Sequence, residues 1–141
     1  MLLEKKKIMA RFARNRRKKE MEQCRPLFHF YSPDENLNDP NGLCFWRGNW
    51  HLFYQGYPPD GKGAVHWGHI VSSDLIHWQD LPYAINPGPE KECYSGSSLV
   101  EDDRVIVFYY GVKSGLMAAE ASDENLESWK KINSGPVIPL N

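Results

Sequence analysis

Two stretches of this sequence carry the same strand-and-turn pattern about fifty residues apart, and no other feature restricts the fold as much. Phe53-Tyr54-Gln55-Gly56 returns as Phe108-Tyr109-Tyr110-Gly111. Ser73-Asp74-Leu75-Ile76-His77-Trp78 returns loosely as Ser122-Asp123-Glu124-Asn125-Leu126-Glu127-Ser128-Trp129. The echoes keep their order, at offsets of 55 and 51 residues. Around them, short apolar runs alternate with turn signals such as Asn41-Gly42, Arg47-Gly48-Asn49, Asp102-Asp103 and Lys113-Ser114-Gly115, the pattern of an all-β chain. It predicts strands over 43–47, 50–56, 67–72 and 79–85, then a second set over 96–101, 105–112, 116–121 and 129–132. A four-stranded unit recurring at this period is the signature of a β-propeller blade. Closed propellers have about four to eight blades, so two blades leave apolar surface uncovered. The expectation is part of a larger domain, or a chain that assembles.

Residues 1–24 differ in character and form a basic N-terminal arm ahead of a β-rich unit over 25–141. Residues 1–25 hold ten Lys/Arg and three Asp/Glu, a balance of +7, which leaves −8 on the remainder of a chain whose net charge is −1. An acidic body behind a basic leader is not the profile of a nucleic-acid-binding domain. The arm is rich in helix formers and reads as a solvated helix or a loose arm. Its apolar residues Leu2, Leu3, Ile8, Met9 and Phe12 are too few for a membrane-surface face. No apolar run is long enough for a membrane helix, and the charged start lacks the apolar core of a secretory signal. Three cysteines, Cys24, Cys44 and Cys93, at wide spacings indicate neither a disulfide framework nor a zinc site. A reducing, cytoplasmic setting is the expectation.

The chemistry concentrates in Leu37-Asn38-Asp39-Pro40-Asn41-Gly42, which follows Phe28-His29-Phe30-Tyr31-Ser32-Pro33. Asp-Pro followed by Asn-Gly reads as a turn before a strand, and such a turn can pin a carboxylate at a strand's start, facing a cleft. Five Trp and seven Tyr either fill a β core or offer flat rings to the apolar faces of sugars. His66 and His69 lie three apart, on opposite faces of a strand, which excludes a metal pair. His29, His51 and His77 are scattered among aromatics and read as packing residues. No phosphate loop, Ser-His-Asp set or zinc pattern is present.

This run resembles the N-terminal signature of glycoside hydrolase family 32, the invertases, fructan hydrolases and sucrose-6-phosphate hydrolases. The resemblance continues in order through Trp50-His51-Leu52-Phe53-Tyr54-Gln55, His66-Trp67-Gly68-His69, Ser73–Trp78 and Tyr94-Ser95-Gly96-Ser97, and covers about residues 25–140. It implies a five-bladed propeller, of which these residues supply about two blades, and the activity of a retaining β-fructofuranosidase. By the same resemblance Asp39 is the nucleophile, Asn38 and Gln55 are ligands of sugar hydroxyls, and Ser95 with Tyr94, which stands where the family usually has Phe, forms the wall of the fructosyl subsite. No metal or organic cofactor is implied, since two carboxyls suffice for this reaction. The implied partner is a fructoside, either a small sugar or an oligosaccharide.

Three departures qualify the resemblance. The family's Arg-Asp-Pro motif, with its transition-state-stabilising Asp, and its Glu-Cys motif, with the acid/base Glu, are absent from residues 1–141. Glu92-Cys93 mimics the latter but directly precedes Tyr94-Ser95-Gly96-Ser97, the wrong place in the family's order. Lys62 occupies the position of a Trp that commonly packs on the fructosyl unit, and reads as a solvated loop residue, with contact to an anionic group as the alternative. A truncated, inactive chain is therefore expected. The competing readings are a non-catalytic carbohydrate-binding or structural fragment and a fructosyltransferase of the same family.

Overall fold

The computed structural model describes residues 2–22, 29–34 and 36–140; Cys24 and Phe28, named above, lie outside these. One helix, α1 (Leu2–Lys19), precedes two antiparallel sheets. The first sheet runs β1 (Leu37–Trp46), β2 (Asn49–Gly56), β3 (His66–Ser72), β4 (Gln79–Ile85) in chain order. The second runs β5 (Cys93–Val100), β6 (Val105–Gly111), β7 (Gly115–Ala121), β8 (Lys130–Lys131), with β9 (Ile138–Pro139) also pairing on β7. Each expected strand is present. The expectation ended the last one too late, and it missed β9.

One face of each sheet is joined to the other in a shared core. Cys44, Trp46, Phe53, Trp67 and Ile85 from the first sheet meet Val105, Val107, Tyr109, Met117 and Ala119 from the second, with Leu126 between them. The repeat explains which side of each strand is covered. Phe53 and its echo Phe108 occupy matching places on β2 and β6, where Phe53 pairs with Asn41 and Phe108 with Ser97. Phe53 is fully buried against the second sheet, whereas Phe108, facing away from the first, is 36% exposed. The side chains one residue on behave inversely. Tyr109 is buried between the sheets, and Tyr54 is buried on the outer face beneath Phe30, at 5.4 Å.

The second echo is a turn held by an aspartate. Asp74 Oδ1 accepts the backbone N–H groups of Ile76 and His77 at 2.9 and 2.8 Å. Asp123 accepts those of Glu127 and Ser128, both at 2.9 Å. Such side chains substitute for missing ladder partners. The leucine in each turn, Leu75 and Leu126, has a left-handed φ of 64° and 51°.

The arm is a helix exposed over most of its residues, as one of the two expectations had it, but one side of it is docked on the sheets. Arg11 donates to both oxygens of Asp34 at 3.0 and 2.8 Å, and Arg16 to both oxygens of Asp80 on β4 at 2.7 and 2.6 Å. The Arg16 guanidinium also lies 4.4 Å from the centre of the Tyr31 ring. Phe12, the one buried side chain of α1, meets Tyr83 edge-on at 5.8 Å. Lys5 reaches the second sheet's turn, donating to the Glu127 carbonyl at 2.9 Å. The docking face is made of forked charge pairs around the single apolar anchor Phe12, so a search for an apolar stripe misses it.

Two histidine expectations need correction. His51 is buried as expected, but His77 is exposed and bonded to Asp74 at 2.7 Å, and His29 is exposed as well. His66 and His69 do lie apart: His66 contacts Asn86 at 2.9 Å, whereas His69 lies inside, 2.9 Å from His51.

Candidate active site

Asn38-Asp39-Pro40-Asn41 is not a turn. It lies within β1, pairing from Leu37 with Gly56 to Asn41 with Phe53. The register slips between Leu37 and Pro40, so Asn38 and Asp39 occupy a β-bulge. Pro40 lacks an N–H for a regular ladder, and proline is tolerated in sheets at edges and bulges. Asn41 secures the distortion by donating from its side chain to the Asp39 carbonyl at 3.2 Å. A second slip follows at Gly42, whose φ is +60°. A Cβ there would sit 3.0 Å from Phe53 and 3.2 Å from Trp67, so both backbone and packing favour glycine.

β5 carries a matching irregularity. Its register slips between Cys93 and Gly96, which places Tyr94 and Ser95 in a bulge. Trp67 on β3 anchors it by donating from its indole nitrogen to the Tyr94 carbonyl at 2.9 Å. Bulges re-aim side chains out of the pleat, and here two bulges on the first strands of adjacent sheets aim at each other. Ser95 Oγ donates to Asp39 Oδ2 at 2.7 Å. Gln55 Nε2 donates to Ser95 Oγ at 2.7 Å and makes a long 3.5 Å approach to the same Asp39 oxygen.

Three of the five expected site residues therefore converge, Asp39, Gln55 and Ser95, and Asn38 is Asp39's chain neighbour. Asp39 and Asn38 are exposed, whereas Gln55 is buried. The ring of the fifth, Tyr94, is 40% exposed and faces Tyr110, with centroids 6.1 Å apart. Asn38 Nδ2 donates to the Tyr57 hydroxyl at 2.8 Å, a partner that the motif reading did not anticipate. Tyr57 stands just past the end of β2, two residues beyond Gln55, and that parity was the available signal. Lys62 is exposed, in a loop where it adopts a φ of 52°. The Glu92 carboxylate lies 3.9 Å from the Lys91 ammonium.

The sheets also bury two histidines and a glutamate. His51 and His69 bond to each other beneath Phe53, whose ring centre is 4.5 Å from that of His69. Burial pushes His51 down to about 4 and His69 well below its ordinary value. Glu90 is 2% exposed, and its Oε1 accepts from Tyr109 at 2.8 Å, from Cys93 at 3.3 Å, and from Lys131. Burial alone would raise Glu90, but Lys131 and Tyr109 hold it below the usual carboxylate value. No cluster of three or more potential metal ligands occurs among the described residues.

An exposed carboxylate held by a hydroxyl and an amide thus lies where two antiparallel sheets meet. The profile of the glycosyl hydrolases family 32 N-terminal domain matches residues 29–141, and the chain belongs to glycoside hydrolase family 32. It is 37% identical to a levanase of Bacillus subtilis, over 84% of this chain and 20% of that protein. It is also 37% identical to a sucrose-6-phosphate hydrolase of the same organism, over 70% and 23%. The solved family 32 β-fructofuranosidase of Bombyx mori superposes with a TM-score of 0.78 at 33% identity, covering 99% of this chain and 31% of that one. These structural neighbours are β-propeller enzymes. The chain spans about a fifth of the length of the curated relatives it matches.

Proposed function

We infer that this chain contributes the nucleophile half of a retaining β-fructofuranosidase acting on sucrose, sucrose phosphate or fructans. The observation that carries the reading is the convergence of two bulges that sets the exposed Asp39 beside neutral donors. Asp39 attacks the anomeric carbon of a fructosyl unit, and water later releases the sugar with retained configuration. Such chemistry needs a second carboxyl about 5–5.5 Å from the first as acid/base, and the family's acid/base motif is absent from residues 1–141. Amide groups such as that of Asn38 suit sugar hydroxyls because they both donate and accept without adding charge.

The opposed exposure of Phe53 and Phe108 supports a rotational stack continued by further blades, up to the family's five. In that reading residues 25–141 belong to the catalytic propeller and residues 1–24 to a separate arm, whose helix α1 docks on the first blade. The relatives support the substrate class: a variant of the Bombyx mori enzyme was solved with sucrose, and a fructan exohydrolase of Cichorium intybus with 1-kestose. The buried free thiols of Cys44 and Cys93 fit a reducing cytoplasmic setting.

The test is to assay the full-length protein on sucrose, sucrose 6-phosphate, 1-kestose and levan, following released fructose and its anomeric configuration by NMR. Initial release of β-fructofuranose supports the reading. Release of the α-anomer, or of no fructose from any of the four, contradicts it. Transfer to sugar in place of water would move the assignment to a fructosyltransferase on the same nucleophile.

A further inference from the structure

We propose that Ser95 is a positioning residue for the nucleophile, with Gln55 behind it, and that Oδ1 of Asp39 is the attacking oxygen. This rests on the reading of Asp39 as a nucleophile and assigns the parts of that site.

The direction of the hydrogen bonds fixes which carboxylate oxygen is held. A serine hydroxyl has one proton and two lone pairs. Gln55 Nε2 occupies a lone pair of Ser95 Oγ at 2.7 Å, which leaves the hydroxyl proton to be aimed at Asp39 Oδ2, also at 2.7 Å. Gln55 is itself buried, so its amide is a fixed reference rather than a mobile surface group. Gln55 also approaches Oδ2 directly at 3.5 Å. Both donors act on the same carboxylate oxygen. The carboxyl torsion is otherwise soft, and anchoring Oδ2 sets where Oδ1 points.

The chemistry uses both oxygens differently. A lone pair on Oδ1 forms the bond to the anomeric carbon as the bond from that carbon to the leaving oxygen breaks. The leaving oxygen takes its proton from a carboxylic acid of the family's acid/base type. In the resulting ester Oδ2 is the carbonyl oxygen and carries less charge. Water then adds to the same carbon, giving a proton back to that acid/base carboxylate, and Oδ1 departs with its bonding pair. Negative charge returns to the Asp39 carboxylate in this second step, and the Ser95 hydrogen bond on Oδ2 strengthens as it does. A sugar seated over the exposed Asp39 excludes water, which raises the worth of a charge-assisted hydrogen bond.

This role differs from that of a sugar ligand, and kinetics separate the two. In full-length protein, Ser95→Ala should lower kcat roughly 10- to 100-fold, the loss expected of one charge-assisted hydrogen bond. KM for sucrose and the Kd for fructose should stay within about twofold. Ser95→Thr, which keeps the hydroxyl, should recover most of kcat. A rise in KM and Kd with kcat unchanged would make Ser95 a sugar ligand and overturn the proposal, as would a Ser95→Ala enzyme that matches the parent. If Ser95→Ala does not fold, Gln55→Leu with Ser95 intact tests the same relay, and an unchanged kcat there overturns it. The contact also has a readout that needs no turnover. The carboxyl carbon resonance of Asp39 should shift in Ser95→Ala and return in Ser95→Thr, and absence of that shift refutes the contact even if the protein proves not to be a fructosidase.

Discussion

Single side chains carry opposite duties in this molecule, and their surroundings show which. Asp39 is kept reachable, whereas Glu90 is closed in with Lys131, Tyr109 and Cys93. Removing one member of a buried pair leaves the other's charge uncompensated, so Lys131→Met should cost about 3 kcal/mol, read from the denaturant midpoint. The His51–His69 pair makes stability depend on pH. The folded state holds both rings neutral, with His51 lowered to about 4, while the unfolded chain protonates near the ordinary value of 6.5. Below that value the unfolded state binds more protons, so this stability is complete above about pH 6.5 and is lost as pH falls toward the folded values. Thermal midpoints between pH 7.5 and 5 should fall on acidification, and His51→Gln should flatten the slope. A midpoint independent of pH across that range would contradict the buried neutral pair.

Among elements, the first strands of the two sheets matter most, because their bulges make the site. Gly96 closes the β5 bulge where a Cβ would lie 2.0 Å from the Phe108 carbonyl oxygen, a backbone atom that cannot swing aside. Gly96→Ala should therefore prevent normal folding. Gly135→Ala, where a Cβ would meet nothing within 4 Å, should leave the far-UV spectrum and melting temperature unchanged. The strands themselves were legible from the sequence, since short β-branched and aromatic runs between turn residues admit little else. The bulges were not. Asp-Pro and Asn-Gly are ordinary turn residues, and only the pairing of Leu37 with Gly56 shows that β1 runs through them. Asn38, Asp39, Gln55 and Ser95 could be named from motif order, whereas Tyr57 and the Gln55–Ser95–Asp39 relay depend on contacts made between strands. The docking of α1 was hidden for another reason. It relies on Arg11 and Arg16, whose partners Asp34 and Asp80 lie 23 and 64 residues away.

At the scale of the whole molecule, the second sheet ends in a face that the repeat says should be covered. Leu99, Phe108 and Tyr110 are 50%, 36% and 42% exposed there, while their counterparts between the sheets are buried. Contiguous apolar surface of this kind drives association. The isolated 141-residue chain should self-associate in sedimentation velocity runs, and Phe108→Ser should shift it toward monomer. In the full-length protein the same substitution should instead lower the melting temperature, because in the proposed propeller a neighbouring blade packs on Phe108. The isolated chain should also turn over little or no sucrose, since without an acid it forgoes the about 10²–10⁴-fold that proton transfer to the leaving oxygen contributes. The central claim concerns Asp39, and Asp39→Asn in the full-length protein tests it most directly. The amide keeps the side chain's size and its hydrogen bonding with Ser95 but cannot form the glycosyl ester. The variant should fold and still bind fructose, yet lose nearly all release of fructose from sucrose. A folded Asp39→Asn protein that keeps substantial turnover would contradict that claim.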